Sequence, residues 1–159
     1  MGRVVLRGVR YRNEMFQWIL TGEGSEGNPR LFIPEHIKHF LIFSLTSLLT
    51  GGLCGLAFGA ILINYMNFYV GSLSLKAPSP IWITLFGWPV WSLFRVVGFV
   101  LGGIALSQPL LSAVFRFKLD RPSITRWFTG ALLLGLVDIF LKWGLAPFWR
   151  ELLRQRVKL

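Results

Sequence analysis

Residues 40–75 read FLIFSLTSLLTGGLCGLAFGAILINYMNFYVGSLSL, 36 positions without an ionisable side chain other than Cys54, Tyr65 and Tyr69. A hydrocarbon core of about 30 Å needs roughly 20 apolar residues in a helix, so this run is long enough to cross a membrane. Within it Ser47, Gly51, Gly55 and Gly59 recur every fourth position. Spacing by four places small side chains on one helical face, where another helix backbone packs closely. The reading is a membrane helix over about 37–64, with an interfacial turn or partial re-entry around Asn64, Tyr65, Asn67 and Tyr69.

The rest of the chain has the same character. A 159-residue chain that is 53% hydrophobic, with mean hydropathy +0.57, is too apolar for an ordinary soluble domain. The fold class expected is all-α, a polytopic membrane protein of three spans with interfacial amphipathic helices, or of four if the second apolar block crosses twice. The second block, 81–115, contains Pro89 and Arg95 and divides into a short interfacial or re-entrant helix over about 81–92 and a span over about 93–115. Gly98 and Gly102 repeat the small-residue spacing there, as do Ala131 and Gly135 in the third span, about 125–147. The membrane domain therefore occupies 35–149.

Two basic tails flank it. The first is 1–34, within which residues 1–21 combine Arg3, Arg7, Arg10 and Arg12 with Val4, Val5, Leu6 and Val9. Met15, Phe16, Ile19 and Leu20 then follow at helical spacing. The second half of this stretch reads as an amphipathic helix on the membrane surface, while the first half is open to a strand reading. The segment 22–29 has the composition of a flexible loop, and Pro34 followed by Glu35 reads as a helix start. Residues 150–159 set Leu152, Leu153 and Val157 against Arg150, Arg154, Arg156 and Lys158, a basic interfacial helix. Arginines interrupt the apolar positions at the N-terminus and no small-residue cleavage site follows, so this stretch is not expected to be a cleavable signal peptide.

Seventeen Lys and Arg against seven Asp and Glu give a net charge of +10, placed at the ends of the apolar blocks. That placement suits anionic lipid head groups and membrane topology and leaves no basic aromatic surface for nucleic acid. With three spans the count of basic residues puts the N-terminus inside and the C-terminus outside. With four it puts both tails inside. Six of the seven tryptophans flank the proposed spans as an aromatic belt would. Cys54 is the only cysteine, so no disulfide forms within one chain; between glycines it reads as a small packing residue.

Three ionisable residues fall inside apolar blocks: Arg95, Asp138 and Lys142. Each costs about 2.5 to 3.5 kcal/mol at a helix centre on insertion scales, so each calls for a partner or a task. Asp138 and Lys142 are four apart on one helix, and Lys142 has the length to snorkel. Arg95 pairs with Asp138 across the bundle in the structural reading. In the alternative, Asp138 is an ion or proton site of a small transporter or channel, tuned by Arg95. His36 and His39 stand at i and i+3 near the mouth of the first span, as interfacial caps or as ligands to a haem or pigment. Quinones or carotenoids held by apolar contact leave no diagnostic residue, so the cofactor is unknown. No metal cluster, phosphate loop or catalytic triad is legible, and the expectation is that the chain is not an enzyme.

The order of motifs resembles the stage II sporulation protein M family of integral membrane proteins over roughly residues 35–149. The resemblance rests on Gly51 to Gly59 followed by Asn64, Asn67 and Gly71, on Gly87-Trp-Pro-Val-Trp-Ser-Leu93, and on Gly98 to Gly103. The Pro-His-Gly element and following Glu common in that family are not retained, and Ser92 stands near the expected acid. The resemblance implies a scaffold or assembly role without catalysis. The expected protein is a small accessory subunit in a cell inner or plasma membrane. Its partners are membrane lipids and either other transmembrane subunits or copies of itself.

Overall fold

The computed structural model describes residues 2–157, with side chains from Leu6 onward. Lys158 of the expected basic tail and the side chains of Arg3, Val4 and Val5 lie outside the described residues. Six α-helices follow in order: α1 Gly2–Thr21, α2 Pro29–Thr50, α3 Leu53–Ser74, α4 Pro80–Phe86, α5 Val90–Phe115 and α6 Arg121–Arg156, with a 3-10 turn at Ser25–Gly27. Among the described residues there is no strand, so the all-α class holds. Three helices, α3, α5 and α6, are long and apolar enough to cross a membrane. They expose bulky apolar side chains such as Leu56, Leu93, Leu133 and Phe140. Long helices that expose so many bulky apolar side chains suit lipid surroundings.

The chain divides into two compact units. One is built from Met1–Phe32, Leu62–Val90 and Phe140–Leu159, the other from Ile33–Ile61 and Trp91–Ile139.

In the second unit the expected single helix over 37–64 is two helices. Gly51 and Gly52 both take positive φ, 59° and 94°, and turn the chain back on itself. Glycine adopts this left-handed conformation without the Cβ clash that other residues suffer. Gly52 N–H donates to the Ser47 carbonyl at 2.8 Å, which satisfies a terminal carbonyl of α2. Thr50 links the two helices: its hydroxyl donates to the Thr46 carbonyl at 2.6 Å and accepts from the Cys54 N–H at 3.0 Å. The four-residue spacing of Ser47, Gly51, Gly55 and Gly59 is therefore not a stripe on one helix. Ser47 of α2 faces Gly55 of α3, Gly51 is the turn, and a Cβ added at Gly59 meets nothing within 4 Å. Cys54 is exposed beside the turn, not packed.

The other boundaries also move. α2 starts at Pro29 rather than Pro34, because Asn28 caps it: its Oδ1 accepts from Arg30 N–H at 3.0 Å, and Pro29 supplies the preorganised first position. Pro34 is inside the helix. The short helix expected over 81–92 ends at Phe86, where Gly87, Trp88 and Pro89 break it, and α5 begins at Val90. α6 starts with Asp120 accepting from Ser123 N–H at 3.3 Å and runs as one helix through Pro147 into the basic tail. In the second unit α5 and α6 approach closely where both present small residues. A Cβ at Gly98 would stand 3.2 Å from the Ala131 carbonyl, and one at Gly102 would stand 3.5 Å from the Ala131 Cβ. Phe43 of α2 stacks on Phe99 of α5 with ring centroids 4.7 Å apart, a geometry worth about 0.5 to 1.5 kcal/mol beyond burial.

In the first unit α1 is helical from Gly2, including the half read as strand-like. Its apolar face is covered by protein rather than left for lipid: Met15, Trp18 and Ile19 are buried. Trp18 stacks on Trp149 at 6.2 Å, and Tyr11 and Phe16 meet Tyr69 edge-on. Arg150 caps the end of α1, donating through Nε to the carbonyls of Trp18 at 2.9 Å and Ile19 at 3.1 Å, and through Nη2 to Leu20 at 3.1 Å. Trp18 and Trp149 are thus buried, as is Trp91 of the second unit, whereas Trp143 and the second unit's Trp127 are exposed. α1 and the C-terminal part of α6 therefore pack together.

Candidate functional site: a buried charge cluster

The second unit holds a carboxylate that three helices converge on. Asp138 of α6 is buried. Arg95 of α5 meets it as a fork, with Nε donating to Oδ2 at 3.0 Å and Nη2 donating to Oδ1 at 3.0 Å. The planar guanidinium matches both oxygens at once, the strongest ordinary arrangement for such a pair. His36 of α2 adds a third contact, Nε2 to Oδ2 at 3.3 Å. Asp138 thus has partners on both oxygens. A buried charge in apolar surroundings persists only with such compensation.

The helix placement explains the convergence. With the chain turning at Gly51, α2 places His36, Phe40, Phe43 and Ser47 at i, i+4, i+7 and i+11, one inward stripe. Phe40 meets Phe99 and Phe128, Phe43 stacks on Phe99, and His36 reaches Asp138. Ser47 of this stripe and its neighbour Ser44 bury hydroxyls that make no hydrogen bond. His39, one turn along, does not join the cluster. Its Nε2 stands 3.9 Å from Glu35 and its ring lies 5.8 Å from Phe58. The two histidines therefore turn to different acids, not to one shared ligand. Among the described residues no group of three or more His, Cys, Asp and Glu is placed to hold a metal ion.

Lys142 does not snorkel to the surface. It is buried in the first unit, with Nζ 2.8 Å from Glu26 Oε2 and 4.6 Å from the centroid of the Phe32 ring. Ion pair and cation–π contact together replace the water the ammonium has lost. Asp138 and Lys142, four apart in sequence, thus serve separate partners.

Of the small residues singled out in the sequence, Gly51, Gly55, Gly98, Gly102 and Ala131 are used inside the chain. Gly59 and Gly135 face open space. His36 and Glu26 were not assigned to these contacts from sequence. His36 lies on the same helical face as Phe40, Phe43 and Ser47, a spacing that the sequence carries. Glu26 lies in a glycine-rich stretch with no periodicity. A buried Lys142 requires an acid, and that requirement is the one signal that leads to Glu26.

No family model, no curated protein and no solved structure matches this chain.

Proposed function

We propose that the chain is a non-catalytic, multi-pass membrane protein acting as a small structural subunit or assembly scaffold. In this reading α3 and α6 offer glycine faces to helices of a larger complex or to a second copy. The observation that carries the reading is the contrast among the glycines. A Cβ added at Gly55, Gly98 or Gly102 meets intrachain neighbours, whereas one added at Gly59 or Gly135 meets nothing within 4 Å. Small residues let helix backbones approach in lipid, where dispersion contacts drive association. The matched buried charges agree with a structural part, since Asp138 and Lys142 each have partners within the chain.

We further propose that α2 crosses beside α3, giving four crossings with both tails on the cytoplasmic side. Eleven Lys and Arg in the tails, at Lys38 and at Lys76 then lie inside, against four in 116–126. Purification of the native complex in mild detergent through a C-terminal tag tests the scaffold reading. Stoichiometric partner subunits, lost with Gly59→Leu or Gly135→Leu while the chain itself stays folded, support it. Recovery of a homogeneous monomer unaffected by either change overturns it.

A second reading, a transporter or channel component, is favoured by one observation: the protonatable His36 shares an Asp138 oxygen with Arg95. It requires that Asp138→Asn abolish proton or cation flux in liposomes without disturbing assembly.

A further inference from the structure

We infer that the first unit carries a binding site for an anionic phospholipid, formed by Lys76, Trp82 and Arg156 around α4. The charge balance points there first. Eleven of the seventeen Lys and Arg fall in the segments of this unit, against four of the seven acids. Several of these cations are already committed: Lys142 to Glu26, Arg10 to Glu14, Arg154 to Glu151, and Arg150 to the end of α1. Lys76 and Arg156 are exposed. Neither has a carboxylate within 4 Å among the described residues. Each instead lies over an aromatic face, Arg156 at 5.4 Å from the Trp82 centroid and Lys76 at 5.2 Å from the Phe16 centroid. A cation held this way keeps its outer N–H groups for an anion.

The two cations belong to adjoining pieces of backbone. Ser74 Oγ donates to the Pro80 carbonyl at 2.8 Å and lies 2.9 Å from Thr84 Oγ1, which ties the end of α3 and the turn carrying Lys76 to α4. Trp82 of α4 in turn carries Arg156 from the end of α6. The outward face of α4 completes the chemistry. Ile83 is buried, while Ile81, Leu85 and Phe86 are exposed at 74%, 67% and 57%, with Leu75 beside them at 89%. An apolar face bordered by two uncompensated cations and a tryptophan matches a lipid with acyl chains and a negatively charged phosphate head. A soluble anion would use the cations and leave the apolar face in water. A zwitterionic lipid would bring its own cation to a basic site.

The test uses the full chain in mild detergent, with native mass spectrometry after addition of phosphatidylglycerol or phosphatidylcholine at equal concentration. A contribution of about 1 kcal/mol per basic residue, roughly fivefold in affinity, sets the scale. Phosphatidylglycerol is expected to bind at least fivefold more tightly than phosphatidylcholine. The variant Lys76→Gln/Arg156→Gln is expected to bring the two within twofold. Lys118→Gln/Arg121→Gln, which removes the same charge from the second unit, should leave the preference intact. Inorganic phosphate at millimolar concentration should not displace the lipid. Equal binding of the two lipids by the unmodified chain overturns the site and leaves the α4 face to neutral lipid or protein. So does a preference that survives Lys76→Gln/Arg156→Gln. Both cations are exposed, so their replacement leaves the fold in place. The outcome is also independent of whether partner subunits exist.

Discussion

His36 Nε2 and Arg95 Nε both reach the same oxygen of Asp138, at 3.3 and 3.0 Å, so one carboxylate ties α2 and α5 to α6. Three helices from distant parts of the chain share one buried anion. Their register is therefore coupled through a group that is expensive to leave unmatched.

Breaking this cluster from one side should cost more than removing it. Asp138→Leu strands the Arg95 guanidinium, and removal of one member of a buried pair typically costs about 3 to 5 kcal/mol. Arg95 is partly exposed, with 24% of its side chain accessible, which places the expected loss at the lower end. Arg95→Leu/Asp138→Leu should recover most of it, because both charges are then gone. Unfolding in a denaturing detergent for the two single variants and the double variant gives the coupling energy. Additive losses would show that the pair is not linked.

The Ser47–Gly55 contact makes the helical hairpin sensitive to a single methyl group. A Cβ at Gly55 would collide with Ser47 Oγ and stand 3.3 Å from the Phe43 ring. Gly55→Ala should therefore destabilise the purified chain by about 1 to 3 kcal/mol, the usual range for overpacking. Ser47→Gly in the same chain should return part of that loss. Gly59→Ala, with open space around it, should be neutral or stabilising by about 0.5 to 1 kcal/mol through helix propensity. Thermal unfolding in detergent separates the three. Equal effects at Gly55 and Gly59 would contradict the packing.

Cys54 offers a native probe of the path through the membrane. It is exposed in the first turn of α3, directly after the Gly51–Gly52 reversal. A straight helix over 37–64 would bury this thiol at mid-membrane. The proposed crossing of α2 beside α3 instead puts this thiol at the membrane surface, on the side away from the tails. A membrane-impermeant maleimide should label Cys54 from one side, and a cysteine placed at Gln155 in a Cys54→Ser background from the other. Labelling of both from the same side would rule out the hairpin as a crossing.

How much of this was legible follows from what each residue does. Composition and long apolar blocks are averages over many side chains, so the all-α membrane class could be read without contacts. Asp138 and Arg95 could be paired because burial makes an unmatched charge costly wherever it lies. The hairpin was obscured because Gly51 serves two physical purposes. A glycine every fourth residue marks a packing stripe, and two adjacent glycines mark a left-handed turn; only the second use leaves Ser47 and Gly55 on facing helices. The contacts of α1 are hidden from the sequence for a related reason. An amphipathic face formed by Met15, Trp18 and Ile19 suits lipid and protein equally, and the partner that decides it, Trp149, is far along the chain.

Arg150 is the residue on which that partnership turns. Its guanidinium makes three donations into the last turn of α1: the Trp18 carbonyl also accepts from Gly22 N–H at 2.8 Å, while those of Ile19 and Leu20 are among the terminal carbonyls that a helix leaves without an intrahelical partner. A cation at a helix C-terminus also opposes the negative end of the dipole. Hydrogen bonds from a charged donor contribute about 1.5 to 3 kcal/mol, so Arg150→Ala should release the end of α1 without unfolding the long helices. Lysine has one charge but no planar fork, so Arg150→Lys should restore only part of the hold. Hydrogen exchange at residues 15–22 reads this directly. Faster exchange is expected there for Arg150→Ala, an intermediate rate for Arg150→Lys, and no change across α5. Unchanged protection at 15–22 would mean that the Trp18–Trp149 stack holds α1 without Arg150.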